Sequence, residues 1–564
     1  MRSRKAIWTL AGYLAGAVLL WGSCTDDIQP GTDGSEEATR IFVNISVQQP
    51  GTRAASTRGA LEPDEGEYEL GITEAEHQIN TLTLVMMQVG EDGTETFEAS
   101  QTLSVSETDK NESSYKLTFD LTGRTGTKRF YVGANLQQAH IGAFGTQDRV
   151  FNAGEGTTGH NIVGSLMTIS HEPDGNGEGS NIVMTGIVTN NKGERDITLS
   201  NNPTGNEIQL QIKNPVTLTR TVAKVLLTCQ PKEGAETYVN VVDIKDKDQS
   251  TADNTGWIQF ANVNYMLNVL NRKTYLDYRE EGNGTASYLT DPNYEISDLI
   301  EDREDEGGYG LKDLNAYRQE FLYYDTQQMV EMLNGDVQQI LENIETEPCT
   351  TRKATVYDEL KVDKNKPEAH YTEGLYCPEN MVYNDLPSIS TENLASVNRF
   401  VSTRVMVGAK YTPKKIYTTD ENGRLTEKTA STEEKAKELL DEANGEGYLS
   451  GTFWQDNKTK QYYTLSGMKK ELEKNPGTEF NRYDGGWGYY YTYVDQEAND
   501  VTDEDDTTII TRWGVKRNHY YIIKVDKIIA PGSAFPGNEV MRIHSELVDW
   551  KDKGGSNIDI DLPQ

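Results

Sequence analysis

Ile41-Phe42-Val43-Asn44-Ile45-Ser46-Val47 sets Ile41, Val43, Ile45 and Val47 on one face, every second residue. That is the two-residue period of a half-buried strand. Similar strand-like runs follow at 79–88, 115–121, 129–136, 182–189 and 208–213, with spacers rich in Gly, Asn and Asp. Short strands separated by turn residues predict a β-sandwich. The chain then restarts at 215–225, Pro-Val-Thr-Leu-Thr-Arg-Thr-Val-Ala-Lys-Val, which predicts a domain boundary near residue 215. Further strand-like runs lie at 238–244, 257–267, 399–411, 461–465, 487–494 and 519–529. Between them, 311–344 and 432–442 carry helical spacing, as in Met329, Met332, Leu333 and in Ile340, Leu341, Ile344. The expected class is all-β: two β-sandwich domains with a few helical insertions in the second.

Composition agrees. A chain of 564 residues has room for two or more domains. Its net charge of −35 argues against nucleic acid or anionic lipid as a partner, since both need clustered Lys and Arg. A hydrophobic content of 35% with this charge would fit disorder, but 30 tyrosines among alternating segments fit folded sheets better.

The N terminus specifies a location. Arg2, Arg4 and Lys5 precede an apolar stretch at 7–21, which is of signal-peptide length and short for a membrane span. Leu19-Leu20-Trp21-Gly22-Ser23-Cys24-Thr25-Asp26-Asp27 then reads as a bacterial lipoprotein signal, cleaved before Cys24 and acylated there. The competing reading is an ordinary secretory signal with an incidental cysteine. Acyl chains contribute about 0.8 kcal/mol per buried methylene, so three of them anchor stably. Membrane contact is expected only through this lipid on the precursor. The acidic pair after Cys24 resembles the surface-export signal of some Gram-negative lipoproteins.

Two further segments flank the domains. After a tether at 25–40 and the first strand, the small-residue loop 49–59 holds Arg53-Ala54 and Arg58-Gly59. Small polar loops are preferred sites of proteolytic nicking. A pair of solvated surface arginines is the alternative. At the other end, the strand-like run 540–550 and a turn at 551–556 lead to Ile558-Asp559-Ile560-Asp561-Leu562. An alternating strand at a terminus can pair with its own sheet or with another molecule.

Other constellations favour plain readings. Cys229 sits in an apolar run and reads as a small buried hydrophobe, while export would allow Cys349 and Cys377 to bond. There is no CxxC, and the seven histidines form no HExxH, so no metal is expected. No GxSxG elbow or Walker loop is present; no catalytic residue and no cofactor is expected. The acidic runs 243–248 and 503–506 lack the EF-hand glycine and distal glutamate. Trp487-Gly488-Tyr489-Tyr490-Tyr491 suits packing across a sheet better than a sugar-binding platform.

Several of these features, in order, resemble the fimbrillin family, the subunits of type V pili on oral and gut anaerobes, and in particular their minor fimbrial shaft subunits. The carriers are Cys24, one strand, then Arg53-Ala54; Tyr131-Val132-Gly133-Ala134-Asn135; Met184-Thr185-Gly186; Arg220-Thr221-Val222-Ala223-Lys224-Val225; Tyr411-Thr412-Pro413-Lys414-Lys415; Tyr483-Asp484-Gly485-Gly486; Arg517-Asn518-His519-Tyr520-Tyr521-Ile522; and Val548-Asp549-Trp550. The region 281–397 is the least covered.

The resemblance implies two transthyretin-like sandwiches, arranged as signal peptide 1–23, removed propeptide 24–53, N-terminal domain 54–215, C-terminal domain 216–539 and donor segment 540–564. It also implies an outer-membrane lipoprotein precursor that an arginine-specific protease cuts after Arg53, or after Arg58 as second choice. The strand of Ile41, Val43, Ile45 and Val47 would leave. Ile558, Ile560 and Leu562 of another subunit would fill its place in a surface fimbrium. Expected partners are other copies, anchor and tip proteins, and host or bacterial surface ligands. An anchor or tip subunit, or a monomeric surface lipoprotein binding glycans or host proteins, is the alternative. An enzyme is not expected.

Overall fold

The computed structural model describes residues 39–48, 78–105, 110–111, 114–146, 149–152, 166–168, 181–200, 207–229, 231–232, 234–243, 255–277, 280–281, 288–289, 299–303, 308–335, 351–353, 355–356, 374–380, 400–494, 500–502, 508–510, 514–525, 527–536, 544–549 and 556–558. Strands dominate, arranged in several sheets, with five helices among the described residues.

The first half contains two sheets. One is ordered Glu207–Gln211, Thr39–Gln48, Ser114–Gly123, Lys110–Asn111, and Val216–Thr217 also pairs with Thr39–Gln48. The other is ordered Thr219–Arg220, Met184–Ile187, Gly126–Ala134, Thr81–Val89, Glu95–Ser104. Their apolar side chains join one core, with Ile41, Val43, Phe119 and Leu121 from the first sheet and Leu82, Leu84, Phe130 and Val132 from the second. Gln101 Oε1 accepts from the Asp120 amide at 2.6 Å, tying the two sheets together. The helix Gln138–Phe144, unforeseen in the sequence, packs Phe144 against Tyr131 at 5.6 Å.

Val222–Cys229 opens the second half with all eight residues buried. It pairs in parallel with His519–Val525, so the sheet is closed by residues nearly three hundred positions apart. That sheet runs on through His544–Asp549 to Ser556–Ile558. The other large sheet is ordered Pro231–Lys232, Ala235–Val239, Gly256–Asn268, Arg404–Pro413, Trp487–Tyr493. Tyr265 Oη donates to Val225 O across the two sheets at 3.5 Å.

Within the expected helical stretch 311–344 the chain forms Leu314–Glu320 and Thr326–Asn334, capped by Asp313 and Asp325, while 336–344, with Ile340, Leu341 and Ile344, lies outside the described residues. Phe321–Leu322 interrupts it to pair with Leu270–Asn271. Glu433–Asn444 follows its Thr432 cap as expected. It packs against Arg404–Pro413 and against Leu465–Lys474, which lies on a separate five-stranded sheet between Lys415 and Tyr483. Gly467 is required there, because a Cβ would strike the Tyr417 carbonyl.

The halves meet through buried charge. Val150–Asn152 pairs with Lys273–Tyr275, and Arg149 bridges Glu95 at 2.7 Å and Asp277 at 3.0 Å. Nearby, Arg517 and Glu379 are 1% and 3% exposed and pair at 2.8 Å, with Arg517 Nη2 also donating to Tyr275 O. Removing one partner of such a pair strands the other charge. Glu379→Ala should therefore lower unfolding free energy by about 3–5 kcal/mol in a urea titration. A loss below about 1 kcal/mol, typical of an exposed pair, would contradict this.

Candidate functional site

The first strand lies inside its sheet, with a partner on each side. Against Ser114–Gly123 it runs antiparallel over its whole length, from Thr39 opposite Gly123 to Gln48 opposite Ser114. On the other side it runs parallel to Glu207–Gln211, with Arg40 opposite Glu207 and Asn44 opposite Gln211, and then to Val216–Thr217. Between these two stretches the Ile212 amide donates to Asn44 O at 3.0 Å. The alternation read from the sequence is realised in the burial: Ile41, Val43, Ile45 and Val47 are 0%, 0%, 3% and 0% exposed, while Phe42, Asn44 and Ser46 are half-buried.

The outer face is polar and graded in charge. Arg40 donates from Nε to Asp120 Oδ1 at 2.8 Å, lies 3.9 Å from Glu207, and stacks 4.7 Å over the Phe42 ring. The Asp120 hydrogen bond raises the Arg40 pKa, and Arg40 in turn lowers the Asp120 carboxyl. In mid-strand, Thr118 Oγ1 donates to Asn44 Oδ1 at 2.6 Å. At the far end Lys116, exposed and opposite Ser46, makes no ion pair among the described residues.

Each inward side chain contributes about 1.5–3 kcal/mol of burial. Without the strand, its two neighbours would stand about 10 Å apart, twice the usual interstrand spacing, each with a bare edge above an apolar slot. Arg53 and Ala54, with Arg58 and Gly59, lie outside the described residues, as does Cys24; Arg53 follows Gln48 by five positions in the sequence.

At the other terminus, His544–Asp549 pairs with His519–Lys524, and Ser556–Ile558 pairs antiparallel with Ser545–Leu547 as the outermost strand of its own sheet. Ile560 and Leu562 lie outside the described residues.

Cys229 and Cys377 are free thiols at 0% exposure, on neighbouring strands. Cys349 lies outside the described residues; with Cys377 a free thiol, the bond that export would allow between the two is not formed. Tyr489 and Tyr490 are buried, and Tyr489 Oη donates to Asn334 Oδ1 at 2.9 Å, consistent with packing across the sheet. The polar partners of the first strand were missed in the sequence, because Arg40 and Asp120 stand eighty residues apart with no local signal to join them.

No family model and no curated protein matches this chain. Solved structures do. A candidate cell adhesion protein from Parabacteroides distasonis matches at 13% identity and a TM-score of 0.36, covering 91% of this chain and 100% of that one. A fimbrilin from Porphyromonas gingivalis matches at 12% identity and a TM-score of 0.34, covering 91% and 98%. A tip fimbrial protein from Porphyromonas gingivalis, truncated at its C terminus, matches at 11% identity and a TM-score of 0.29, covering 91% and 100%. Each of these matches covers 91% of this chain. No TM-score reaches 0.5, so the functional reading rests on this chain's own strands.

Two outcomes follow from the geometry. Ile45→Ala should destabilise the precursor by about 2–5 kcal/mol in urea unfolding, the cost of a cavity in a packed core; near-neutral behaviour would contradict a filled slot. Burial pushes the Cys229 thiol up to about 12 and Cys377 higher still, because it penalises the thiolate. At pH 8 both should therefore resist maleimide in the folded protein and react in urea, as read by peptide mapping. Rapid labelling in the native state would contradict this.

Proposed function

We propose that this protein is the structural shaft subunit of a surface fimbrium, made as an outer-membrane lipoprotein acylated on Cys24 and assembled by strand exchange. Two transthyretin-like sandwiches meeting near residue 215 form its body. The observation that carries this reading is the position of Thr39–Gln48, enclosed in its sheet on both sides yet joined to the rest of the chain through the segment that holds Arg53 and Arg58.

The physics is one of effective concentration. While covalently attached, the strand outcompetes any strand from another molecule. A cut after Arg53, or after Arg58, turns it into a separate peptide that dilution removes. The bare edges then accept a new strand by β-augmentation. The C-terminal segment, with Ile558, Ile560 and Leu562, is the donor. Ordering a strand costs about 1–2 kcal/mol per residue, close to what side-chain burial returns. The two backbone ladders must therefore add to the stability of the joint. Among the described residues, the start of the donor is held on its own sheet by the short ladder Ser556–Ile558, so on this reading its release is a small step. A groove on one half that takes a tail from the other half of the next copy is a head-to-tail contact, which repeats into a filament when it does not close. Partners on this reading are further copies, anchor and tip subunits, an arginine-specific protease and surface ligands of cells.

Limited trypsin digestion of the lipid-free precursor, followed by mass and size determination, tests this. The expected result is loss of the segment through Arg53 or Arg58 and growth of ladders or filaments, abolished by deleting residues 558–564. A cleanly cut protein that stays monomeric at high concentration would contradict it and favour the anchor, tip or ligand-binding readings.

A further inference from the structure

Resting on the strand-exchange reading, we infer that the tail enters the vacated slot at its Lys116 end, parallel to the strand it replaces. Ile558, Ile560 and Leu562 take the places of Val43, Ile45 and Val47, and Asp561 faces Lys116.

The slot has four inward places, and the tail has three alternating apolar residues. In either direction the tail therefore has two placements. At the Ile41 end, one aspartate falls on the place of Phe42, directly opposite Asp120 and one outward place from Glu207. Arg40 pairs with both of these carboxylates in the precursor and leaves with the strand. Like charges directly across a sheet destabilise it. At the Val47 end, one aspartate falls on the place of Asn44, between Thr118 and Gln211, whose hydroxyl and amide can donate to a carboxylate. The other falls on the place of Ser46, opposite Lys116. Lys116 is exposed and makes no ion pair among the described residues, so it meets the incoming carboxylate without giving up a partner.

Pro563 decides the direction. With the tail reversed, it falls on the place of Phe42, inside the ladder, where it has no N–H to offer. With the tail parallel to the displaced strand, it falls on the place of Gln48, at the ladder's end, where proline is tolerated. Asn557 then takes the place of Phe42, and its amide can donate to Asp120. Lys116 is thus a specificity-determining residue of the groove, and the Asp120 end disfavours a shifted tail.

Cysteine pairing in trypsin-cut full-length protein tests the register, with each variant's fold checked by circular dichroism before cutting. A Lys116→Cys copy mixed with an Asp561→Cys copy should form an intermolecular disulfide on mild oxidation, located by mass spectrometry. Asp120→Cys with Asp559→Cys should not, nor should Lys116→Cys with Asp559→Cys. Separately, Lys116→Glu should slow polymer growth roughly five-fold, the scale of an exposed charge pair, and Asp561→Lys should restore it. A disulfide from either other pair, or unchanged growth of Lys116→Glu, would overturn this register while leaving strand exchange standing. Cut native protein that does not grow, with no disulfide from any of the variant pairs, would overturn strand exchange, and this register with it.

Discussion

The first half of this molecule depends on one doubly paired strand. Thr39–Gln48 carries a complete antiparallel ladder on one side and two short parallel stretches on the other, so its backbone is hydrogen-bonded along both edges. Its side chains fill the same place in a second sense, since Ile41, Val43, Ile45 and Val47 complete the layer that faces Leu82, Leu84 and Phe130. Sheet continuity and core packing thus hang on the same ten residues. Those residues are also the ones bound to the rest of the first half by a single covalent connection, through the segment 49–77.

The second half is held more redundantly. Val222–Cys229 is flanked by His519–Val525 and Leu375–Pro378, and the Arg517–Glu379 pair binds Tyr275 into the same junction. Among the described residues, its central strand Val222–Cys229 is buried along its whole length. Its weak point is the opposite kind of feature, the short outermost strand Ser556–Ile558. On the proposed reading, one half offers a place that can be emptied, and the other a terminal strand that can be given up. A net charge of −35 adds a like-charge repulsion between copies, which the proposed exchange has to overcome.

Much of this was legible in the sequence. The alternation at 41–47 showed both the strand and its buried face, and the helical reading of 432–442 matches Glu433–Asn444 within two residues. The helix Leu465–Lys474 was hidden because Tyr462 and Tyr463 look like the middle of a strand, whereas they end one and Thr464 caps the helix. Gln138–Phe144 was hidden by its length, seven residues carrying too few turns for a period to emerge. Pairings such as Arg40 with Asp120, or Arg517 with Glu379, are products of the fold and leave no local pattern. The tail illustrates the remaining limit: alternation shows that Ile558-Asp559-Ile560-Asp561-Leu562 suits a sheet, but not whose sheet.

The central claim is that the first strand is a removable part of its sheet. Hydrogen exchange at Ser114–Gly123 and Glu207–Gln211 tests it most directly, followed in the precursor, in the freshly cut protein and after assembly. The account predicts slow exchange in the precursor and a sharp loss of protection in both strands once the segment through Arg53 or Arg58 has gone. Protection should then return as the chains assemble. Unchanged protection after loss of that segment would contradict the account, because it would mean that the two strands had never depended on the one between them.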